Sequence, residues 1–387
     1  MTTSRRAPAS PAGPAAAVTE PQVVVCAGGG GVGKTTTAAA LGLALARSGR
    51  RALVVTMDPA RRLAGALGVP VADAPTPVAL PDAGTRLWAL MPDPRRSLRT
   101  FVAQLFADEP AAETRVLANG VYRGLADAAA GVHELVTMNL VARVAAGDTF
   151  DVVVIDTAPS RHALDALDYP RRLAALLGGR PVAWLAALAP RGTAADAPPR
   201  APAGRLLAWG AGRVERLVGR VTGPGLARDT AALFSDLALV RERFVALAHR
   251  ASELLLGERA GYLLVAGPTA AARDDAVFLA ARLGKQGRTP RALLLNRADV
   301  HVPLHDRVLR GLPDPPPALL AALDALEQER TARTAAADLQ ARELEKRLSD
   351  VPLVRLPYLE ATTPDAVVVA LAADLQPHLR TLVPLDT

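Results

Sequence analysis

The sequence has a single cysteine, Cys26, in 387 residues. That excludes an internal disulfide and any CxxC metal clasp. Lysine is almost as scarce: only Lys34, Lys285 and Lys346 stand among 45 basic residues, and the rest are arginine. This skew, with abundant Ala and Pro, has the look of GC-rich coding, so a net charge of +7 is no argument for nucleic-acid binding. Aromatic residues are few (six Phe, four Tyr, three Trp) and are not interleaved with basic ones in the way that stacks bases. No nucleic-acid partner is expected. No uncharged apolar run approaches the roughly 18 residues of a membrane span. Residues 1–20 carry Arg5 and Arg6, but Pro8, Pro11 and Pro14 break any apolar signal region. They read as a disordered leader, and the chain is expected in the cytoplasm, at most peripheral at a membrane.

Apolar residues make up 50% of the chain, enough for a large core. Short, continuous, β-branched-rich runs lie at 23–26, 52–56, 87–91, 152–155, 262–265, 292–295 and 353–356. Continuous rather than alternating runs mark strands covered on both faces, as in a parallel sheet. Helical stretches such as 36–48 separate them. The fold expected is therefore α/β: a doubly wound, mostly parallel sheet of about seven or eight strands. Residues 21–387 read as one domain, with helical insertions at about 95–147 and 165–258 beside the C-terminal edge of the sheet. Residues 317–348 read as a charged, solvated helix.

Gly28-Gly29-Gly30-Gly31-Val32-Gly33-Lys34-Thr35 fits GxxxxGK[ST], after a predicted strand and ahead of a predicted helix. Glycines let successive backbone N–H groups turn toward phosphate oxygens, and the helix directs its positive end at the same anion. Lys34 is placed to reach the β- and γ-phosphates, and Thr35 to offer its hydroxyl to Mg²⁺. Asp58 and Asp156 end two predicted strands at the edge where such sheets hold ligands. Asp58 is read as orienting the attacking water, although a helix-capping Asp ahead of Pro59 has the same pattern. Asp156 is read as the Mg²⁺ partner acting through water, with a switch loop beyond it. His162 fits a helix cap as well as a relay. Asn296 ends another strand; its amide can pair with an adenine edge, or it can simply serve a turn. The pair His301 and His305 has helical ligand spacing, but Pro303 lies between them.

Together these residues resemble the ArsA ATPase family, which includes arsenite-pump ATPases and ATPases that target tail-anchored membrane proteins. The matching pieces are GGGGVGKTTT at 28–37, TMDPA at 56–60, DTAPSRHALDALDYP at 156–170, LLLNR at 293–297 and LPYL at 356–359. The resemblance implies an ATP- and Mg²⁺-dependent dimer whose nucleotide sites face each other and whose helical regions rearrange on turnover. It assigns Asp58 to the attacking water, Asp156 to switch II, Thr36 to the α-phosphate, and Asn296 and Pro357 to the adenine. Three features depart from the pattern. Gly29 stands where the family has a lysine that reaches the partner's phosphates, Arg161 replaces the switch II glycine, and the metal-binding cysteines are missing. Arsenite export is accordingly disfavoured. Two functions remain in view: an ATPase switch, as homodimer or heterodimer, or a weakly hydrolytic subunit paired with a lysine-bearing paralogue. Arg61 or Arg161 could replace the missing cation. Residues 171–228 carry ten arginines against two acids, Asp196 and Glu215. That segment is expected to meet an acidic protein client or an anionic membrane surface.

Overall fold

The computed structural model describes residues 21–58, 62–70, 72–80, 84, 86–128, 130–158, 224–298, 315–359 and 363–383. Arg61, Arg161, His162, His301, His305, the leader 1–20 and the stretch 171–223 lie outside the described residues.

The chain begins with β1 (Gln22–Gly28), α1 (Lys34–Arg47), β2 (Ala52–Thr56), α2 (Arg62–Leu67), β3 (Ala72–Pro77) and β4 (Leu87–Met91). Four helices follow: α3 (Pro94–Leu105), α4 (Pro110–Ala118), α5 (Gly120–Ala128) and α6 (Ala130–Ala145). Next come β5 (Val152–Asp156), α7 (Pro224–Leu239), α8 (Arg241–Leu256), β6 (Ala260–Ala266) and α9 (Ala270–Lys285). The chain closes with β7 (Ala292–Leu295), α10 (Pro317–Arg347), β8 (Leu353–Arg355), α11 (Pro364–Leu375), a 3₁₀ turn (Gln376–His378) and α12 (Leu379–Leu382).

The strands form one eight-stranded sheet in the order β3-β4-β2-β5-β1-β6-β7-β8. Every pairing is parallel except β3 with β4. All seven apolar runs of the sequence become strands of this sheet, and the parallel doubly wound fold is as expected. The reason is visible residue by residue. In β1, Val24 and Cys26 pack toward α1, α11 and α12, while Val23, Val25 and Ala27 pack toward α6, α8 and α9. Both parities are buried, so the run has to be apolar throughout.

β3 is the strand that the apolar pattern does not show. Its sequence, ADAPTP, contains two prolines and is half-exposed. Proline is tolerated at a sheet edge because one side of an edge strand has no ladder partner.

A separate apolar cluster joins α3, α4, α6, α7 and α8 beyond the sheet, with Phe101 and Phe244 in edge-to-face contact at 6.1 Å. Arg115 of α4 ties this cluster to Asp236 of α7 at 2.5 Å. Among the described residues, no helix is long and apolar enough to cross a membrane.

The central strands leave no room for side chains at the end of β1. Gly28 is in register with Val265, and a Cβ at position 28 would fall against the Val265 backbone oxygen. Neither backbone can move without opening the β1–β6 ladder. Gly28→Ala is therefore expected to cost about 2 kcal/mol or more, read as a lower urea midpoint at unchanged slope. An unchanged midpoint would show that the ladder is looser than this register implies.

Candidate functional site

The site forms where β1, β2, β5 and β7 end, at the carboxyl edge of the sheet. The turn between β1 and α1 runs through Gly33, whose φ of 91° is a conformation that side-chain-bearing residues rarely adopt. No side chain caps α1, and its first turn holds no acid. The positive end of a 14-residue helix is thus left open to an anion. Lys34 is buried, and its Nζ donates to the Gly29 carbonyl at 2.7 Å. Burial pulls the Lys34 pKa down, while Asp156 and Asp58 oppose that shift.

Asp156 sits at the bottom of the site, fully buried. Its Oδ2 accepts hydrogen bonds from Thr35 Oγ1 at 2.7 Å and Thr56 Oγ1 at 2.9 Å. Its Oδ1 is buried and, among the described residues, has no hydrogen-bond partner. Burial pushes the Asp156 pKa up to about 6, against the pull of both hydroxyls and of Lys34. A buried carboxylate with one unsatisfied oxygen, beside a threonine hydroxyl, has the hard-oxygen character of a Mg²⁺ site. Thr35 and Asp156 fit that ion.

Asp58 follows β2 and is also buried. Its backbone N–H donates to Thr56 Oγ1 at 3.1 Å, and its Oδ2 lies 3.5 Å from Arg62 of α2. Thr157 is anchored to β1 through its hydroxyl, which donates to the Cys26 carbonyl at 2.9 Å. Cys26 itself is buried, and burial raises its pKa, so it is inert as a nucleophile.

Two clefts open here. One, of about 290 Å³, is lined by Lys34, Thr35, Asp58, Arg62 and Thr157 among others. The second, of about 430 Å³, is lined by Asn296, Pro357, Tyr358, Leu359 and one face of α11. Gly33, Thr36 and Arg297 line both. Asn296 joins the halves, since its Nδ2 donates to the Val32 carbonyl at 2.9 Å. The site residues named from sequence are thereby brought to one place: Gly28 through Thr36, Asp58, Asp156, Asn296 and Pro357.

Three participants have no role that the sequence assigns. Thr56 and Arg62 are seen only through their contacts with Asp156 and Asp58. The third is Asp275 on α9. A Cβ placed on Gly29 would collide with the Asp275 carboxylate, so that carboxylate fills the space above position 29.

The parallel sheet, the Gly-rich turn and the carboxylates at the strand ends are those of a P-loop α/β fold. The family described as anion-transporting ATPase matches residues 21–182. Over that segment, less than half of its length, the chain is similar to the ArsA ATPase family. It is also similar to the ATPase GET3 of Pyricularia oryzae, 32% identical over 132 residues, 34% of this chain and 38% of that protein. The ATPase get3 of Aspergillus terreus is 33% identical over 132 residues, 34% of this chain and 37% of that protein. The chain thus matches less than two-fifths of the length of these curated relatives.

Proposed function

We propose that the chain is a Mg²⁺-dependent ATP hydrolase that works as a dimeric nucleotide switch and reshapes a helical surface for a partner. The observation that carries the reading is the buried Asp156, with its unpartnered Oδ1, beside Thr35 and the open end of α1. The family name and the relatives' names, both of ATPases, support the same reaction class.

In this reading, Lys34 exchanges its bond to the Gly29 carbonyl for the β- and γ-phosphates. Backbone N–H groups of 30–36 hold the phosphate oxygens. Thr35 directly and Asp156 through water would hold Mg²⁺, which when bound would supply positive charge against the β- and γ-phosphates. Asp58 accepts a proton from, or orients, the attacking water, while Arg62 fixes the carboxylate. Asn296 and Pro357 border the base, which an amide edge reads as adenine. ATP and ADP are the nucleotides of the cycle. The partner is an acidic protein client or an anionic membrane surface met through 171–228. Asp275 favours a second reading. With a carboxylate over Gly29, a cation at that position would meet the Asp275 countercharge before it reached another subunit's phosphates. The chain would then be the weakly hydrolytic half of a heterodimer with a lysine-bearing paralogue.

Calorimetric titration with Mg-ATP tests the nucleotide site. Lys34→Ala removes charge-assisted bonds of about 1.5–3 kcal/mol each, so affinity should fall by about 100-fold. Equal affinity in wild type and variant would contradict the assignment of Lys34.

A further inference from the structure

Arg297 is the only non-glycine residue with a positive φ among the described residues, at 59°. Arginine has no short polar side chain to offset the crowding of its Cβ in that region. The backbone on either side is pinned. Asn296 N–H donates to the Ala266 carbonyl at 2.8 Å, and Ala298 N–H donates to the Leu356 carbonyl at 2.8 Å. The Asn296 side chain is bound to the P-loop in addition. A strained conformation that its surroundings enforce, at the rim of a ligand cleft, points to a use for the side chain it orients.

The placement of that side chain supplies the use. Of the three residues that line both clefts, Gly33 and Thr36 are neutral and Arg297 is the cation. It is exposed, and among the described residues its guanidinium has no hydrogen-bond or ion-pair partner. A nucleotide lying across the two clefts has its ribose and α-phosphate at their junction. The charge at that junction is the α-phosphate's. Lys34 and the Mg²⁺ ligands address the other end of the phosphate chain.

We infer that Arg297 is a nucleotide-binding residue whose guanidinium meets the α-phosphate where the base and phosphate clefts join, and that its left-handed backbone is retained for this purpose. The inference rests on the nucleotide reading of the site. It makes two predictions of opposite direction. Glycine at 297 removes the cation and also the backbone strain. Arg297→Gly should therefore leave the urea midpoint unchanged or higher. At the same time, it should weaken ADP binding about tenfold, the order expected when one charge-assisted hydrogen bond is removed. Adenosine, which has no phosphate, should bind both proteins alike. Arg297→Lys keeps the charge and should recover part of the ADP affinity.

The experiment is competition of ADP and of adenosine against a fluorescent ADP, on wild type, Arg297→Gly and Arg297→Lys, with urea unfolding of each. Supporting results are an ADP-specific loss in Arg297→Gly, partial rescue by lysine and no loss of stability. Equal ADP affinity in wild type and Arg297→Gly overturns the inference, as does an equal loss for adenosine, which would place the effect on the base cleft. Wild type that binds no ADP overturns the nucleotide reading itself.

Discussion

Asp156→Asn is expected to raise the stability of the metal-free protein while abolishing its stabilisation by Mg²⁺. The Asp156 carboxyl has its pKa raised from 3.8 to about 6, chiefly by burial. A folded pKa above the unfolded one means that the group's contribution to stability is fully present below about pH 4. It is lost as pH rises through about 6. At pH 7.5 the buried charge costs up to about 3 kcal/mol, taking one pKa unit as about 1.4 kcal/mol. Asparagine removes that charge. Its carbonyl oxygen can still accept from Thr35 and Thr56, as Oδ2 does now. Its amide replaces the Oδ1 that has no partner already, so no new orphan is created. Lys34 keeps Asp58 as a countercharge. Thermal unfolding in chelator at pH 7.5 should show a gain of several degrees for the variant. Adding Mg²⁺ with nucleotide should stabilise wild type alone. In wild type, that stabilisation should fade as pH drops below about 6, because protonated Asp156 no longer attracts the ion. A variant less stable than wild type in chelator would show that the carboxylate is a structural partner rather than an ion site.

The position of Gly29 shows how packing qualifies a comparison of motifs. Read as sequence, the missing lysine at 29 is a lost cation that Gly29→Lys could restore. In the fold, the Asp275 carboxylate occupies the space that a side chain at 29 would enter. A lysine there has first to displace or pair with Asp275, so Gly29→Lys alone does not recreate a free cation. Of the two arginines considered as substitutes, Arg61 and Arg161, both lie outside the described residues. Two arginines line the phosphate cleft: Arg62, which follows Arg61 in the chain and pairs with Asp58, and Arg297.

Much of the sheet was legible because burial on both faces forces an apolar run, as in β1, β2 and β5. The P-loop was legible because its chemistry is local: a turn that only glycine adopts easily, followed at once by Lys34 and Thr35. Asp58 and Asp156 were legible because they end strands whose neighbours are apolar. What could not be read is what depends on distant packing. β3 takes its place from pairing with β4 rather than from its own pattern, and its prolines argue against a strand. Thr56 is an ordinary strand-end residue until β2 lies beside β5 in the register Thr56↔Asp156. Arg297 closes the LLLNR piece at 293–297, but that match gives it no role; its backbone conformation and the two clefts do. Asp275 reaches Gly29 from a helix far along the chain, and no spacing rule connects them.

The central claim is that the cleft at the end of β2 hydrolyses a nucleotide with Asp58 acting on water. The direct measurement is single-turnover hydrolysis of Mg-ATP by wild type and Asp58→Asn, with Mg-ATP affinity measured on the same samples. Asparagine keeps the shape and most of the polarity of Asp58, but it cannot take a proton and loses the ion pair with Arg62. Loss of a general base typically slows the chemical step by about 10²–10⁴. The account predicts a loss of that order in rate with affinity changed by only a few-fold. Hydrolysis by Asp58→Asn at the wild-type rate would contradict it.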